Sequence, residues 1–249
     1  MPVDSAKEPV RLSRIVAQRA GCSRREAELL IEGGWVRVDG RIVDVPGAKV
    51  GEETVTIDEG ARPEPVVPVT ILLHKPAGFE TWPDARRPVL QLLNAETRSA
   101  DDRSGLRPAR QHFVQECLTP LEPAATGLVI FSQDFRVRRK LIEDAGLIEH
   151  EVIVDVKGEV TEERLVHLNR SPVIDGRAML PAKVSISRQQ EGQTGLRFAS
   201  KGHRPGRIAQ MVESEDLQIT AMKRIRIGRL NLAGLEPGQW RYLNANERV

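Results

Sequence analysis

Three prolines fall within nine residues at positions 61–69: Pro63, Pro65 and Pro68. Each fixes its own φ near −65° and pushes the preceding residue out of the helical region. No helix can run through such a stretch, and a central strand would lose ladder hydrogen bonds in it. The chain must pass it extended. That divides the 249 residues into a short N-terminal part and a long C-terminal one, both within the usual size range of domains. The expected division is a domain at 10–60, a linker at 61–69 and a second domain at 70–243.

Other architectures are excluded quickly. The longest apolar runs, such as 128–131, fall far short of the roughly 20 residues a membrane helix needs. The first ten residues lack the apolar core of a secretory signal. Two cysteines, Cys22 and Cys117, supply neither a disulfide framework nor metal-ligand spacing. The five histidines (His74, His112, His150, His167 and His203) show no ligand pairing either. A cytoplasmic protein without a metal, and not associated with a membrane, is expected.

The first domain reads as two helices and three strands. Leu12, Ile15 and Val16 share one helical face. Ser23 and Glu26 have the spacing of a capping box, in which serine and glutamate satisfy each other's free amides. Ala27, Leu30 and Ile31 form the buried stripe of that second helix, which Gly33 and Gly34 end. Asp39-Gly40 between alternating apolar runs predicts a two-residue hairpin, and 54–57 a last short strand.

The second domain mixes strands and helices without regular alternation, which predicts an α+β architecture with a mixed or antiparallel sheet. Strands are expected near 69–73, 128–131, 151–156, 183–187, 195–199 and 225–232. Helices are expected near 89–93, 136–145, 161–168 and 206–213. The arginine-rich stretch 101–115 reads as a long loop.

Net charge is only +2, which argues against a nucleic-acid partner until its distribution is considered. Between Val10 and Arg25 stand five arginines (Arg11, Arg14, Arg19, Arg24 and Arg25) and no acid. They avoid the apolar face of the first helix and open the second. A merely solvated face usually mixes signs, whereas unopposed guanidinium forks suit bidentate contact with phosphate. Four of the five residues at 136–140 are also basic. The loop 202–207 is basic and bracketed by glycines, but it lacks P-loop spacing; a loop contact to phosphate through Arg204 is expected there.

The string RLSRIVAQRAGCSRREAELLIEGGWVRVDGRIV closely resembles the S4-type RNA-binding domain. After the linker come ILLHKPAGFETW, LTPLEPAATGLVIFSQD and MKRIRIGRLNLAGLEPGQWRYL. In that order they resemble the bacterial ribosomal-RNA pseudouridine synthases with a detached N-terminal S4 domain. The resemblance implies a monomer that acts on structured RNA, ribosomal RNA in particular, without a cofactor. In that family a uridine is flipped out, its glycosidic bond is broken, and the base is rotated and rejoined through carbon. An aspartate in a Gly-Arg-Leu-Asp motif is essential there, as nucleophile or as base.

This chain departs from the pattern. Glu122 stands at the aspartate and Pro120 at the arginine before it. Val152 stands where the resemblance implies a tyrosine stacking on the target base. Ala209 and Gln210 replace arginines of a segment that supplies one to the active site. Arg207 is the expected substitute, orienting Glu122 as the central carboxylate. Lys75, in a turn with Pro76, is expected to join Arg204 and the five N-terminal arginines in holding RNA. Two readings stand side by side: a uridine isomerase built on Glu122, and a non-catalytic RNA-binding or ribosome-assembly protein that keeps the fold. A different glycosidic chemistry at Glu122 is the third.

Overall fold

The computed structural model describes residues 8–249 except 172, 175, 176, 179 and 203. It divides into two compact units. One takes the chain up to Pro68 together with Gly105–Val114; the other takes Val69–Ser104 and Gln115–Val249. The excursion Gly105–Val114 lies within the stretch that reads as a plain loop of the second domain. In the structure it packs inside the first unit.

In the first unit, β1 (Val10–Arg11) leads into α1 (Leu12–Ala20), then α2 (Arg24–Glu32), β2 (Val36–Val38), β3 (Arg41–Ile42), β4 (Lys49–Val50) and β5 (Val55–Ile57). Helix α2 starts where the capping box requires. The Ser23 hydroxyl accepts from the Glu26 amide at 3.2 Å, and the Glu26 carboxylate accepts from the Ser23 amide at 2.8 Å. Leu12 and Val16 of α1 pack with Ala27, Leu30 and Ile31 of α2 over Val36, Val50 and Val55. Asp39 and Gly40 take φ of 49° and 78°, as a two-residue turn with the twist of its strands demands. The three-stranded sheet runs β3-β2-β5, and β1 pairs with β4.

The second unit is built on an eight-stranded sheet. Its strands are β6 (Thr70–Lys75), β7 (Thr126–Ser132), β8 (Glu149–Lys157), β11 (Lys183–Gln190), β12 (Gln193–Lys201), β13 (Ile219–Ile227), β14 (Leu230–Asn231) and β15 (Trp240–Tyr242). A small hairpin, β9 (Val173–Ile174) and β10 (Arg177–Ala178), stands apart from it. The order is β11-β12-β8-β13-β7-β6-β15, with β14 paired to β13. Among the described residues the β13–β7 pairing is the one parallel pairing between strands of this sheet, which makes it mixed within an α+β fold. The helices are α3 (Phe135–Ile142), α4 (Glu162–Leu168) and α5 (Arg207–Glu213). The expected strand at 225–232 is in fact the end of β13, a turn at Gly228 and β14; β13 itself begins six residues earlier, at Ile219. No helix among the described residues is long and apolar enough to cross a membrane.

The centre of this sheet positions the site. All six residues of β6 are buried, including His74 and Lys75. Where β7 begins, Gly127 lies against β13 so closely that an added Cβ would stand 2.3 Å from the Arg224 carbonyl oxygen, at a φ of 123°. Both the contact and the dihedral exclude a side chain. Gly127→Ala is therefore expected to cost on the order of 3 kcal/mol or more, read as a lowered urea midpoint of the second unit.

Candidate active site and RNA-facing residues

Glu122 sits in the turn that enters β7, half-buried, with Oε1 accepting the backbone N–H of Gly206 at the start of α5. Its second oxygen, Oε2, is buried and has no hydrogen-bond partner among the described residues. Two buried cations hold the turn from behind. The Lys75 ammonium donates to the carbonyls of Pro76, Pro123 and Ala125, at 3.1, 3.1 and 2.7 Å. The Arg224 guanidinium donates to Leu128 at 2.8 Å, to Pro120 at 3.3 Å and to Thr119 at 2.5 Å. Both side chains are completely buried.

Burial sets the electrostatics. It pushes Lys75 down to about 8 and Arg224 down to about 10, while the Glu122 carboxylate favours the charged form of each. Burial raises the Cys117 thiol to about 11, although Arg224 and Lys75 favour its thiolate. His74 is held neutral, chiefly by burial; its Nδ1 donates to the Leu235 carbonyl at 2.8 Å, and Nε2 faces the Thr126 hydroxyl at 3.1 Å. The result is a carboxylate between a helix start and two buried positive charges, on a turn whose carbonyls are all but fixed.

Two expectations need correcting. Lys75 does not reach RNA: it is fully buried, and its three N–H donors are spent on three carbonyls. Arg207 does not orient Glu122. Its guanidinium donates to the Leu180 carbonyl, and its buried Nε has no partner among the described residues. The neighbouring backbone amide, Gly206 N–H, takes that task instead, because a buried carboxylate oxygen can be satisfied by any donor aimed at it. Val152 is buried in β8, opposite Phe198 of β12 and Arg224 of β13, so it presents no stacking face.

Arg224 was not among the residues singled out from sequence, yet a signal existed. It alternates with the buried Met222 along β13, and an arginine in phase with a core-facing position is a buried cation. Lys75 carries the same signal at the end of a continuous apolar strand.

The N-terminal arginines separate into three kinds. Arg11 and Arg14 are exposed and have no ion-pair partner among the described residues. Arg24 and Arg25 are about 70% exposed and share Glu28, at 3.1 and 3.6 Å. Arg19 turns one nitrogen to the Val55 carbonyl. Arg204 is exposed and has no ion pair among the described residues; the adjacent His203 lies outside them.

Comparison with known proteins bears on the fold. The S4 domain model matches residues 10–55. The chain is 27% identical over 245 residues to ribosomal large subunit pseudouridine synthase B of Bacillus subtilis, covering 95% of this chain and 93% of that one. A crystal structure of a pseudouridylate synthase superposes with a TM-score of 0.60 at 18% identity, covering 94% of this chain and 96% of the other. The chain carries an S4 domain and is similar along nearly its whole length to ribosomal large subunit pseudouridine synthases. A chloroplastic protein of Arabidopsis thaliana, provisionally assigned as a ribosomal large subunit pseudouridine synthase, is 25% identical over 91% of this chain; the chain spans 56% of that relative's length.

Proposed function

We propose that the protein binds structured RNA, ribosomal RNA in particular, and isomerises a uridine in it to pseudouridine, acting as a monomer. Glu122 is the central carboxylate. The observation that carries this reading is the state of its two oxygens: Oε1 is anchored by Gly206 N–H, and Oε2 is buried with no partner among the described residues. A buried acceptor left unsatisfied costs about 1–3 kcal/mol, and such groups persist mostly where a substrate completes them.

In the isomerisation the C1′–N1 bond of uridine breaks, the uracil turns, C1′ bonds to C5, and the C5 proton is lost while N1 regains one. Glu122 Oε2 would meet the ribose or take a proton once the incoming nucleotide displaces the groups that now cover it. Lys75 and Arg224 keep the turn carrying it from relaxing. The deciding experiment deletes the gene and maps pseudouridine across cellular RNA. One site is expected to disappear, to return with the wild-type gene and to stay absent with Glu122→Gln. An unchanged map assigns the fold to RNA binding alone.

RNA binding itself rests on Arg11, Arg14, Arg24 and Arg25. Replacing Arg14, Arg24 and Arg25 with alanine is expected to weaken binding and to reduce the slope of log K against log salt by roughly 2. An unaltered slope would remove these residues from the interface.

A further inference from the structure

The excursion Gly105–Val114 builds something in the first unit that the S4 elements alone would lack. Together with the end of α2 and the proline segment it encloses a pocket of about 280 Å³, lined among others by Trp35, Arg62, Glu64, Val67, Leu106 and Arg107. Arg107 is its central feature. The guanidinium carbon stands 4.4 Å from the centre of the Trp35 ring. Its Nε donates to the Gly34 carbonyl at 2.9 Å, and its Nη2 pairs with Asp58. Asp58 is held well below the usual carboxylate range, first by Arg37 and also by Arg107. One face of the guanidinium therefore rests on the indole, and its edge is committed to fixed acceptors. The side chain lines the pocket and keeps 29% of its surface exposed.

The remaining lining suits one kind of occupant. Val67 is 53% exposed at the rim, and Pro65, Leu106 and Ala109 add apolar wall. The Trp35 indole N–H has no hydrogen-bond partner among the described residues, and Arg62 and Glu64 have no ion pairs there. A flat ring fits against a stacked guanidinium, with a donor and an acceptor for its polar edge and a free cation for the adjoining phosphate. Unpaired RNA bases are commonly taken up by stacking on such planes. The pocket lies at the end of α2 opposite Arg24 and Arg25. The nine residues of that helix separate them by about 13 Å, a span that a few nucleotides cover.

We propose that this pocket takes an unpaired nucleobase of the bound RNA, stacked on Arg107. The proposal rests on the reading that the first unit binds RNA. It makes the excursion a device that adds recognition of a bulged or looped base to contact with the phosphate backbone.

Two RNA hairpins test it, identical except that one carries a single-nucleotide bulge, titrated against the full chain at fixed salt. Wild type is expected to bind the bulged hairpin at least tenfold more tightly. Val67→Trp fills the pocket from an exposed position; it is expected to erase the preference while leaving affinity for the paired hairpin unchanged. Arg107→Lys, which keeps the charge and loses the plane, is expected to do the same. In a Trp82→Phe background the emission comes from Trp35 and from Trp240, which is fully buried in the second unit and supplies a constant signal; the emission should change with the bulged hairpin and not with the paired one. Equal affinities of wild type for the two hairpins, or a preference that survives Val67→Trp, overturn the pocket. Salt-independent, negligible binding of both hairpins instead overturns the RNA-binding reading beneath it.

Discussion

Glu122→Gln is expected to lower pseudouridine formation by about a hundred- to ten-thousand-fold while leaving the fold intact. Glutamine has the same length and keeps a carbonyl oxygen that can accept the Gly206 N–H, so the turn and the start of α5 stay joined. What it loses is the negative charge and the basicity of the second oxygen, buried without a partner in the wild type. The companion variant discriminates further. Glu122→Asp restores the residue type of the family motif but withdraws the carboxylate by about one carbon–carbon bond, roughly 1.5 Å. A displacement of about 1 Å can cost a hundredfold in rate. In this chain the aspartate variant is therefore expected to be slower than wild type, because the glutamate reaches an anchor on α5 that aspartate cannot. Single-turnover assays on the uridine found by mapping would measure both. A glutamine variant as fast as wild type would reduce Glu122 to a bridge between the turn and α5.

Arg224→Met is expected to be strongly destabilising. It leaves the carbonyls of Thr119, Pro120 and Leu128 without the donor that now serves all three. A buried acceptor that loses its donor costs about 1–3 kcal/mol; the losses at Thr119 and Leu128, less what relaxation of the turn recovers, put the expected net cost on the order of 3 kcal/mol. Urea unfolding checks the stability. The rate checks the consequence, since the turn that relaxes is the one that carries Glu122.

Lys75 gives the same region a pH signature. Its folded value is lowered from 10.5 to about 8, chiefly by burial. Below about pH 8 folded and unfolded chains both hold the proton, and the cost of burying the charge is constant. Between about 8 and 10.5 the unfolded chain binds more proton, so this residue makes stability rise with pH across that window. Lys75→Met should lack the rise. Identical pH dependence in the two proteins between pH 7.5 and 10 would show that burial has not shifted this lysine.

Much of the architecture was legible in the chain. The Ser23–Glu26 box, the Asp39-Gly40 turn and the apolar stripes of α1 and α2 specify the first unit by local rules, because each depends on neighbours a few residues away. Strands β6, β7, β8 and β12 announced themselves as apolar runs, within a few residues of their ends. The position of Glu122 was legible through its motif register. Its surroundings were less so. Lys75 read as an RNA contact because a lysine beside a proline turn is usually exposed; only the sheet shows that strand β6 is covered on both faces to its last residue. Arg207 read as the partner of Glu122 because charge complementarity suggests side chains, whereas the donor is a backbone amide.

Sequence by itself determined the helices and hairpin of the first unit and most of the strand content of the second. Tertiary structure decided which charges are free and which are structural. It buried Lys75 and Arg224 under the Glu122 turn, aimed Gly206 N–H at the carboxylate, and drew Gly105–Val114 out of the second unit's sequence to pack beside Trp35. The physical reason is the same in each case. Local elements depend on periodicity and caps that neighbouring residues supply, but burial and hydrogen-bond satisfaction depend on groups about 50 to 100 residues apart, as from Lys75 to Ala125 and from Arg224 to Thr119.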